Sequence, residues 1–560
     1  MSGTGNLKLT NANESTGTLF VNNGTVTLAG EKGKWSGDIK VAAGGTLAFE
    51  GDKVFETSKA VTFTGASTLQ VTEGSTLTLK KNITDAASAT LAIGQNGKLI
   101  IGAGGGWAGK YSGDATSTIV IDKGADFVVD GTNTSTGMQA YTGVIEVASG
   151  ALVLGNVRND STGHDTAMST SNIIVRNGGS LYTNMGGDNK TFNRDLATEG
   201  GATLGNWDGH IAWSGAIRLN VAEGTTDFSD PAQIVYNEVG VTTVNMYWGK
   251  NYNWSGLVQG SGFVNFTNAN KGDTYTLILS NNNNTFNGTY VVSGGTANNN
   301  VAELRVNGMT AARDAKIDLI SKGKAVYLTI GSENPAQISG LSGNVGTTVR
   351  AAGGSRTLAL NQADESTFAG VFANNGNNTI SLTKTGAGNL ILTGANTTTG
   401  TLTVNEGTVT LGGLNGSWAG NVSLGADGTI AYSTGEKTLG GNGTFNDNST
   451  IKVVDNGTLT LTRNIGSNVV LNVEEGSTLK LTGNGQANTS RFAGSGTVVF
   501  ATGTRYINST GNTFTGTLDV AAGTVRVGVS GTTRNQNADF NAGTILVRNG
   551  ATFETNHGSN

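Results

Sequence analysis

The chain has no cysteine and only two prolines, and charged residues make up 13% of its 560 residues. The absence of cysteine excludes disulfides and thiolate metal sites. With a net charge of −5, the sequence shows no basic stripe of the kind that binds nucleic acid, so no nucleic-acid partner is expected. It also has no apolar run of about 18 residues, so we predict no membrane insertion by this chain.

Glycine is abundant, with 87 residues, but it does not recur at every third position as a collagen helix requires. Low hydrophobicity would allow disorder, yet aliphatic and polar residues alternate along the whole chain. A solenoid fold accounts for both the low hydrophobicity and the regular alternation. Each of its coils needs only a thin row of inward aliphatic residues and shares its core with the neighbouring coils.

The stretch from Leu382 to Gly413 contains three short predicted strands. In each one aliphatic residues alternate with other side chains, mostly threonine, which is typical of a half-buried strand. The breaks contain glycine and asparagine, which tolerate the positive φ that a sharp bend requires. No helical period occurs, so the pattern predicts successive strands of an all-β coil.

The same stretch contains the motif K-T-G-A-G-N-L-I-L-T-G-A-N followed by a linker, a strand and N-E-G-T-V. This motif resembles the passenger-associated repeat of bacterial autotransporters. The resemblance implies a right-handed parallel β-helix (β-solenoid) and export to the cell surface, but it implies no particular activity. It covers residues 1–184 and 384–556 and is weaker between them.

Residues 3–30 align without a gap on residues 386–413, with 20 of 28 positions identical. Collinear matches continue as far as I-I-V-R-N-G from Ile173 and I-L-V-R-N-G from Ile545. The sequence therefore predicts two copies of one unit, of which the second is about 11 residues shorter. We expect the copies to superpose coil on coil.

The duplication divides the chain into three parts: a first copy at 1–184, a middle section at 185–383 that is aromatic-rich at 205–266, and a second, truncated copy at 384–560. An aromatic–x–Gly signature followed by alternating aliphatic residues recurs in all three parts. It begins, for example, at Trp35 and at Trp254.

Residues able to support catalysis are few and scattered. The histidines His164, His210 and His557 do not form the i, i+4 pair of a zinc protease. Residues 104–110 have the spacing of a phosphate-binding loop, but Tyr111 stands where a magnesium-binding hydroxyl is needed. We therefore predict no enzyme activity, no cofactor and no metal.

Candidate ligand-contact residues lie in the aromatic-rich segment, where flat rings are mixed with amide and acid groups: Trp207, Asp208, Tyr247, Trp248 and Tyr252. Aromatic faces stack on sugar rings and also anchor protein contacts. The alternative is that the tryptophans of this segment are core residues. That alternative is stronger for Trp213 and Trp254, because both belong to the aromatic–x–Gly signature.

The expected function is that of a structural or adhesive passenger fragment, acting in adhesion, aggregation or as a stalk at the bacterial cell surface. Its expected partners are a host-cell, glycan or protein surface and further copies of itself. The alternatives are a carbohydrate-active β-helix enzyme and a toxin passenger. An enzyme would need several ionisable side chains on one face of neighbouring coils.

We also expect the chain to be part of a longer array. Leu382–Thr385 precede Gly386 in the second copy, whereas only Met1 and Ser2 precede Gly3 in the first. Coils without a capping repeat leave unpaired backbone groups, which favour end-to-end association.

Overall fold

The computed structural model describes residues 1–56, 59–129, 138, 140–155, 172–225, 233–247, 251–268, 274–295, 301–465, 468–482, 487–488, 490–530, 533–534 and 540–555. For residues 129, 185–190, 208, 268, 487–488, 529–530 and 533–534 it describes the backbone alone. The chain divides into two compact units, Met1–Glu303 (unit 1) and Leu304–Asn560 (unit 2). Each unit is a parallel β-solenoid, and the described residues form about 21 turns.

Unit 1 contains the following strands: β1 (Ser2–Leu9), β2 (Ala12–Asn13), β3 (Leu19–Val21), β4 (Asn23–Leu28), β5 (Lys34–Trp35), β6 (Ile39–Val41), β7 (Gly45–Phe49), β8 (Lys53–Phe55), β9 (Val61–Phe63), β10 (Thr68–Val71), β11 (Thr76–Leu79), β12 (Asn82–Ile83), β13 (Thr90–Ile93), β14 (Lys98–Ile101), β15 (Gly106–Trp107), β16 (Lys110–Gly113), β17 (Thr118–Ile121), β18 (Asp126–Val129), β19 (Ala140–Tyr141), β20 (Val144–Val147), β21 (Ala151–Gly155), β22 (Asn172–Val175), β23 (Ser180–Phe192), β24 (Leu196–Glu199), β25 (Thr203–Trp213), β26 (Ile217–Val221), β27 (Val241–Met246), β28 (Asn251–Trp254), β29 (Val258–Gly260), β30 (Phe263–Asn268), β31 (Thr274–Leu279) and β32 (Thr289–Ser293). Strand β33 (Val301–Val306) contains the division between the units.

Unit 2 continues with β34 (Ala312–Ile320), β35 (Val326–Ile330), β36 (Ala336–Gly343), β37 (Thr347–Ala351), β38 (Arg356–Asn361), β39 (Ser366–Phe368), β40 (Val371–Phe372), β41 (Ile380–Thr385), β42 (Asn389–Leu392), β43 (Ala395–Asn396), β44 (Leu402–Leu411), β45 (Ser417–Trp418), β46 (Val422–Ser433), β47 (Glu436–Leu439), β48 (Thr450–Val454), β49 (Thr458–Leu461), β50 (Val470–Val473), β51 (Thr478–Leu481), β52 (Ala487–Asn488), β53 (Arg491–Gly494), β54 (Thr497–Phe500), β55 (Thr504–Ile507), β56 (Thr513–Phe514), β57 (Thr517–Val520), β58 (Thr524–Val527), β59 (Val529–Ser530), β60 (Thr533–Arg534), β61 (Thr544–Val547) and β62 (Thr552–Thr555). No α-helix occurs in the described ranges, and so none that could span a membrane.

Parallel pairing stacks like residues above one another in the core. In unit 1, Leu69 of β10 pairs with Leu47 of β7 and with Leu91 of β13, and all three side chains are fully buried. Leu459 of β49 and Leu479 of β51 form the same kind of ladder in unit 2. Burying one such side chain contributes about 1.5–3 kcal/mol. These ladders confirm the predicted all-β solenoid and its inward aliphatic rows.

Two glycines of the repeat motif occupy positions that disfavour every other residue. Gly24 and Gly407 have φ values of 73° and 69°. A Cβ on Gly24 would lie 2.2 Å from the carbonyl oxygen of Gly3, and a Cβ on Gly407 would lie 2.4 Å from that of Gly386. Both the backbone conformation and the close approach of the preceding coil therefore require glycine.

The duplicated segments have the same local geometry. Trp35 donates its indole N–H to the Gly17 carbonyl at 3.0 Å, and Trp418 donates to the Gly400 carbonyl at 2.9 Å. Each tryptophan lies in a short strand of a two-stranded parallel sheet, β2–β5 in one copy and β43–β45 in the other. The three-part division by duplication stays a prediction, as does the superposition of the two copies.

Candidate ligand-binding surface

Three aromatic side chains from neighbouring coils meet on the outer face of unit 1. Tyr182 belongs to β23, Trp207 belongs to β25, and Tyr247 directly follows β27. The rings of Tyr182 and Trp207 stack with centroids 4.8 Å apart, and Tyr247 meets them edge-on at 6.3 Å and 6.4 Å, respectively. All three side chains are half-buried, so part of each faces solvent. We call these three residues the aromatic surface.

Trp207 lies at a β-bulge in β25. On the facing strand Thr183 pairs with Asn206, and the next residue pairs with Asp208, so Trp207 is an extra residue. Asn206 is buried, and its side-chain oxygen accepts a hydrogen bond of 3.2 Å from the Thr183 hydroxyl. Alternation along the strand turns Trp207 outward while its neighbour Asn206 points inward. The bulge shifts the alternation beyond this point, so that Ile211 and Trp213 point inward.

Tyr182 reaches Trp207 because glycine stands next to it on the following coil. Tyr182 pairs with Gly205, and a Cβ on that glycine would lie 2.4 Å from Cδ1 of the tyrosine ring. The ring therefore occupies the space that a side chain at position 205 would need. This contact brings the ring into stacking distance of Trp207.

A cleft of about 530 Å³ lies beside the aromatic surface, with Tyr182 and Trp207 among its lining residues. Asp126 contributes a carboxylate, and most of the other lining residues are small. The full lining consists of Gly124, Ala125, Asp126, Val128, Ser149, Gly150, Ala151, Val153, Gly178, Ser180, Tyr182 and Trp207. Its volume is within the range of about 300–1,000 Å³ found for small-ligand sites.

The hydroxyl of Tyr247 stays protonated in this environment. Burial raises the pKa of Tyr247, and the neighbouring Tyr182 hydroxyl raises it further. A neutral phenol keeps its ability to donate a hydrogen bond at physiological pH. The aromatic surface therefore combines ring faces and edges with a hydroxyl that can donate.

The other predicted contact residues differ in their outcomes. Tyr252 is only 1% exposed and packs edge-on against Trp254 at 5.9 Å inside the coil. Its expected ligand contact is wrong, because alternation along β28 turns it toward the core. The side chain of Asp208 and the whole of Trp248 lie outside the described residues.

One cluster of ionisable groups in the described part of the chain consists of Arg176, Glu146 and Glu199. In that part of the chain, no group of three or more His, Asp or Glu side chains could hold a metal ion. Arg176, which directly follows β22, forms ion pairs with Glu146 of β20 at 3.3 Å and with Glu199 of β24 at 2.8 Å. Glu199 also accepts hydrogen bonds from the backbone N–H groups of Asn177 and Gly224. This cluster therefore fastens the turn at Gly224 onto the sheet.

A family model described as passenger-associated-transport-repeat matches residues 1–28, 271–296, 382–411 and 493–527. These four segments resemble passenger-associated-transport repeats. The matches confirm the predicted resemblance to an autotransporter passenger domain, and they imply export to the cell surface or the extracellular space. No curated protein matches the chain.

The aromatic surface lies outside the segments that match the repeat model. Tyr182, Trp207 and Tyr247 all lie between the matched segments 1–28 and 271–296. Tyr182 was missed by sequence reasoning. The signal that could have found it is the alignment of S-L-Y-T-N at 180–184 with T-L-G-N-W at 203–207, which places a tyrosine beside a glycine on adjacent coils.

Proposed function

We propose that this chain is a non-catalytic adhesive passenger whose aromatic surface contacts a host-cell glycan or protein. The observation that carries the proposal is the cluster of three half-buried rings from three neighbouring coils beside an open cleft. Tryptophan and tyrosine dominate recognition surfaces, because they bring a large apolar area together with a polar atom. Their rigid placement also lowers the entropy lost on binding.

The scaffold supports this role because its outward positions can change without disturbing the core. Gly205, the bulge at Trp207 and the buried Asn206 fix the rings in place. A surface fixed by backbone geometry needs little rearrangement when it meets a ligand. A carbohydrate-active enzyme and a toxin passenger remain the alternatives, and no specific contact in the described residues favours either one.

The proposal is tested with the purified full chain on mucin-coated and fibronectin-coated surfaces. We expect binding to at least one of them, and Trp207→Ala should weaken it by about 30-fold, since a central aromatic contact is worth about 2 kcal/mol. The matched control is Phe20→Ala, which removes another outward ring of unit 1 that is 49% exposed. It should bind like the wild type.

Circular dichroism must show unchanged β-structure in both variants for the comparison to count as a binding effect. Equal binding by wild type and Trp207→Ala would show that the aromatic surface is not the contact. A wild-type chain that binds neither surface would overturn the adhesive role. Hydrolysis of mucin glycans by the wild type, lost on replacing Asp126, would establish the enzyme alternative instead.

A further inference from the structure

Unit 2 contains a second cleft, where a column of short strands ends. β45 pairs with β43 through Trp418 and Asn396, and no further described strand continues this two-stranded sheet beyond β45. A cleft of about 600 Å³ lies beside Trp418. It is lined by Ala395, Leu411, residues 414–422, Tyr432 and residues 436–441.

Trp418 is a rigid wall of this cleft. Its indole N–H donates to the Gly400 carbonyl at 2.9 Å, and its ring packs on Phe372 with centroids 5.4 Å apart. The side chain is half-buried, and its remaining surface lines the cleft. A ring held at its edge and on one side can offer the rest of its surface to a ligand at little entropic cost.

The rim of the cleft is mostly polar and neutral, and the one exposed carboxylate in its lining, Glu436, forms an ion pair with Lys480 at 3.5 Å. Leu414 is 78% exposed beside the tryptophan, and the exposed side chains of Asn415, Ser417 and Asn421 bring amide and hydroxyl groups. The ammonium group of Lys437 is engaged with the carbonyl oxygens of Gly413 at 2.7 Å and Thr434 at 2.8 Å. Most of the exposed surface of the cleft is polar.

The first copy of the duplicated unit shows which of these features belong to the scaffold. Trp35 keeps the indole hydrogen bond to a glycine carbonyl, and Lys53 contacts the carbonyl of Gly30 as Lys437 contacts that of Gly413. The rim residues, in contrast, differ in charge. The first copy has Glu31, Lys32, Lys34 and Asp38 where the second copy has Leu414, Asn415, Ser417 and Asn421.

We propose that the Trp418 cleft of unit 2 binds one or more neutral pyranose rings of a glycan. The indole surface and Leu414 suit the apolar face of a sugar ring, and the amides and hydroxyl on the rim suit its hydroxyl groups. Replacement of four charged rim residues by neutral ones removes partners that an ionic ligand would use. An apolar peptide side chain would need a drier pocket than this open and mostly polar cleft.

This site is independent of the aromatic surface and can be tested separately. Cellotetraose, maltotetraose and tetra-N-acetylchitotetraose are titrated into the full chain by isothermal calorimetry and saturation-transfer NMR. We expect at least one to bind, and Leu414→Glu should weaken it at least tenfold by placing a charge where the sugar face lies. The matched control is Val345→Glu, a substitution at another apolar residue of unit 2 that is also 78% exposed.

A second variant replaces all four rim residues with those of the first copy: Leu414→Glu, Asn415→Lys, Ser417→Lys and Asn421→Asp. It leaves the net charge unchanged, and the first copy already carries these residues beside a tryptophan of the same geometry. We expect this variant to fold and to lose saccharide binding, and Trp207→Ala to keep it. Failure of the wild type to bind any of the three saccharides, or undiminished binding by the four-residue variant, would overturn the proposal.

Discussion

Lys384, in the repeat motif of unit 2, has a side chain that is 0% exposed. Its ammonium group donates to the carbonyl oxygens of Thr385 at 2.8 Å, Gly386 at 2.5 Å and Gln362 at 3.3 Å. The Gln362 and Thr385 carbonyls each accept a further backbone hydrogen bond, from Gly388 and Gln362 respectively. Replacing Lys384 with methionine would remove a hydrogen-bond donor from all three carbonyls. The Gly386 carbonyl would be affected most, because the other two keep a backbone donor. An unsatisfied buried carbonyl costs about 1–3 kcal/mol.

Lys384→Met should thus destabilise this part of unit 2 by about 1–3 kcal/mol at pH 7. Methionine keeps the length of the side chain, so the loss reports the hydrogen bonds and not a cavity. Hydrogen exchange of the amides in 380–411 measures this local opening free energy directly. The matched control is Lys437→Met, which also removes an ammonium group bonded to two carbonyls but at a half-exposed site, so its effect should be smaller.

The dependence of this effect on pH gives a second and sharper test. Burial lowers the pKa of Lys384 from 10.5 to about 8, although Glu406 partly opposes the shift. Between these two values the unfolded chain binds more protons than the folded one, so wild-type stability should rise with pH. Lys384→Met does not titrate there, and its deficit should grow by up to about 3 kcal/mol between pH 8 and pH 10.5. A deficit that shrinks over this range would refute the reasoning.

Three further substitutions test the scaffold, each by chemical denaturation against the wild type. Gly407→Ala should destabilise unit 2 by about 1–3 kcal/mol, because the residue has positive φ and faces a carbonyl of the preceding coil. Asn396→Ala should cost about 1–3 kcal/mol, because its side-chain oxygen accepts the Phe372 N–H at 2.8 Å in the core. Arg194→Met should instead leave the free energy of unfolding unchanged or raise it. Burial lowers the pKa of Arg194 to about 10, and its Nε and Nη1 have no hydrogen-bond partner among the described residues. A clear loss of stability in this last variant would reveal an unrecognised partner.

The fold could be predicted from the sequence because short, local sequence patterns determine which side chains enter the core of a solenoid. The alternation in the stretch from Leu382 to Gly413 is enough to place Leu390, Leu392 and Leu402 inward, and all three are fully buried. Gly407 could be recognised as a bend for the same reason, since its conformational requirement is local.

The aromatic surface could be predicted only in part, because it depends on which coils become neighbours. Trp207 and Tyr247 were expected from composition, but Tyr182 joins them only through the register that sets it beside Gly205. At the bulge, β25 has one residue more than β23 between the Thr183–Asn206 and Asn184–Asp208 pairs, which composition does not show. The error at Tyr252 was avoidable, since it lies two residues from Trp254 and alternation puts both on one face.

The duplicated copies show why recognition in such a chain should be sought on outward side chains and not in the repeats. Between them, inward residues such as Val26 and Val409 are identical, and both are fully buried. Outward residues are free to differ, as Glu31 and Leu414 do beside equivalent tryptophans. The inward residues of a coil pack against those of both neighbouring coils, so a substitution there alters the packing of all three. An outward substitution alters only the surface that solvent or a ligand contacts. Divergence on a rim that surrounds an unchanged indole is therefore what selection for different ligands, acting on one scaffold, would produce.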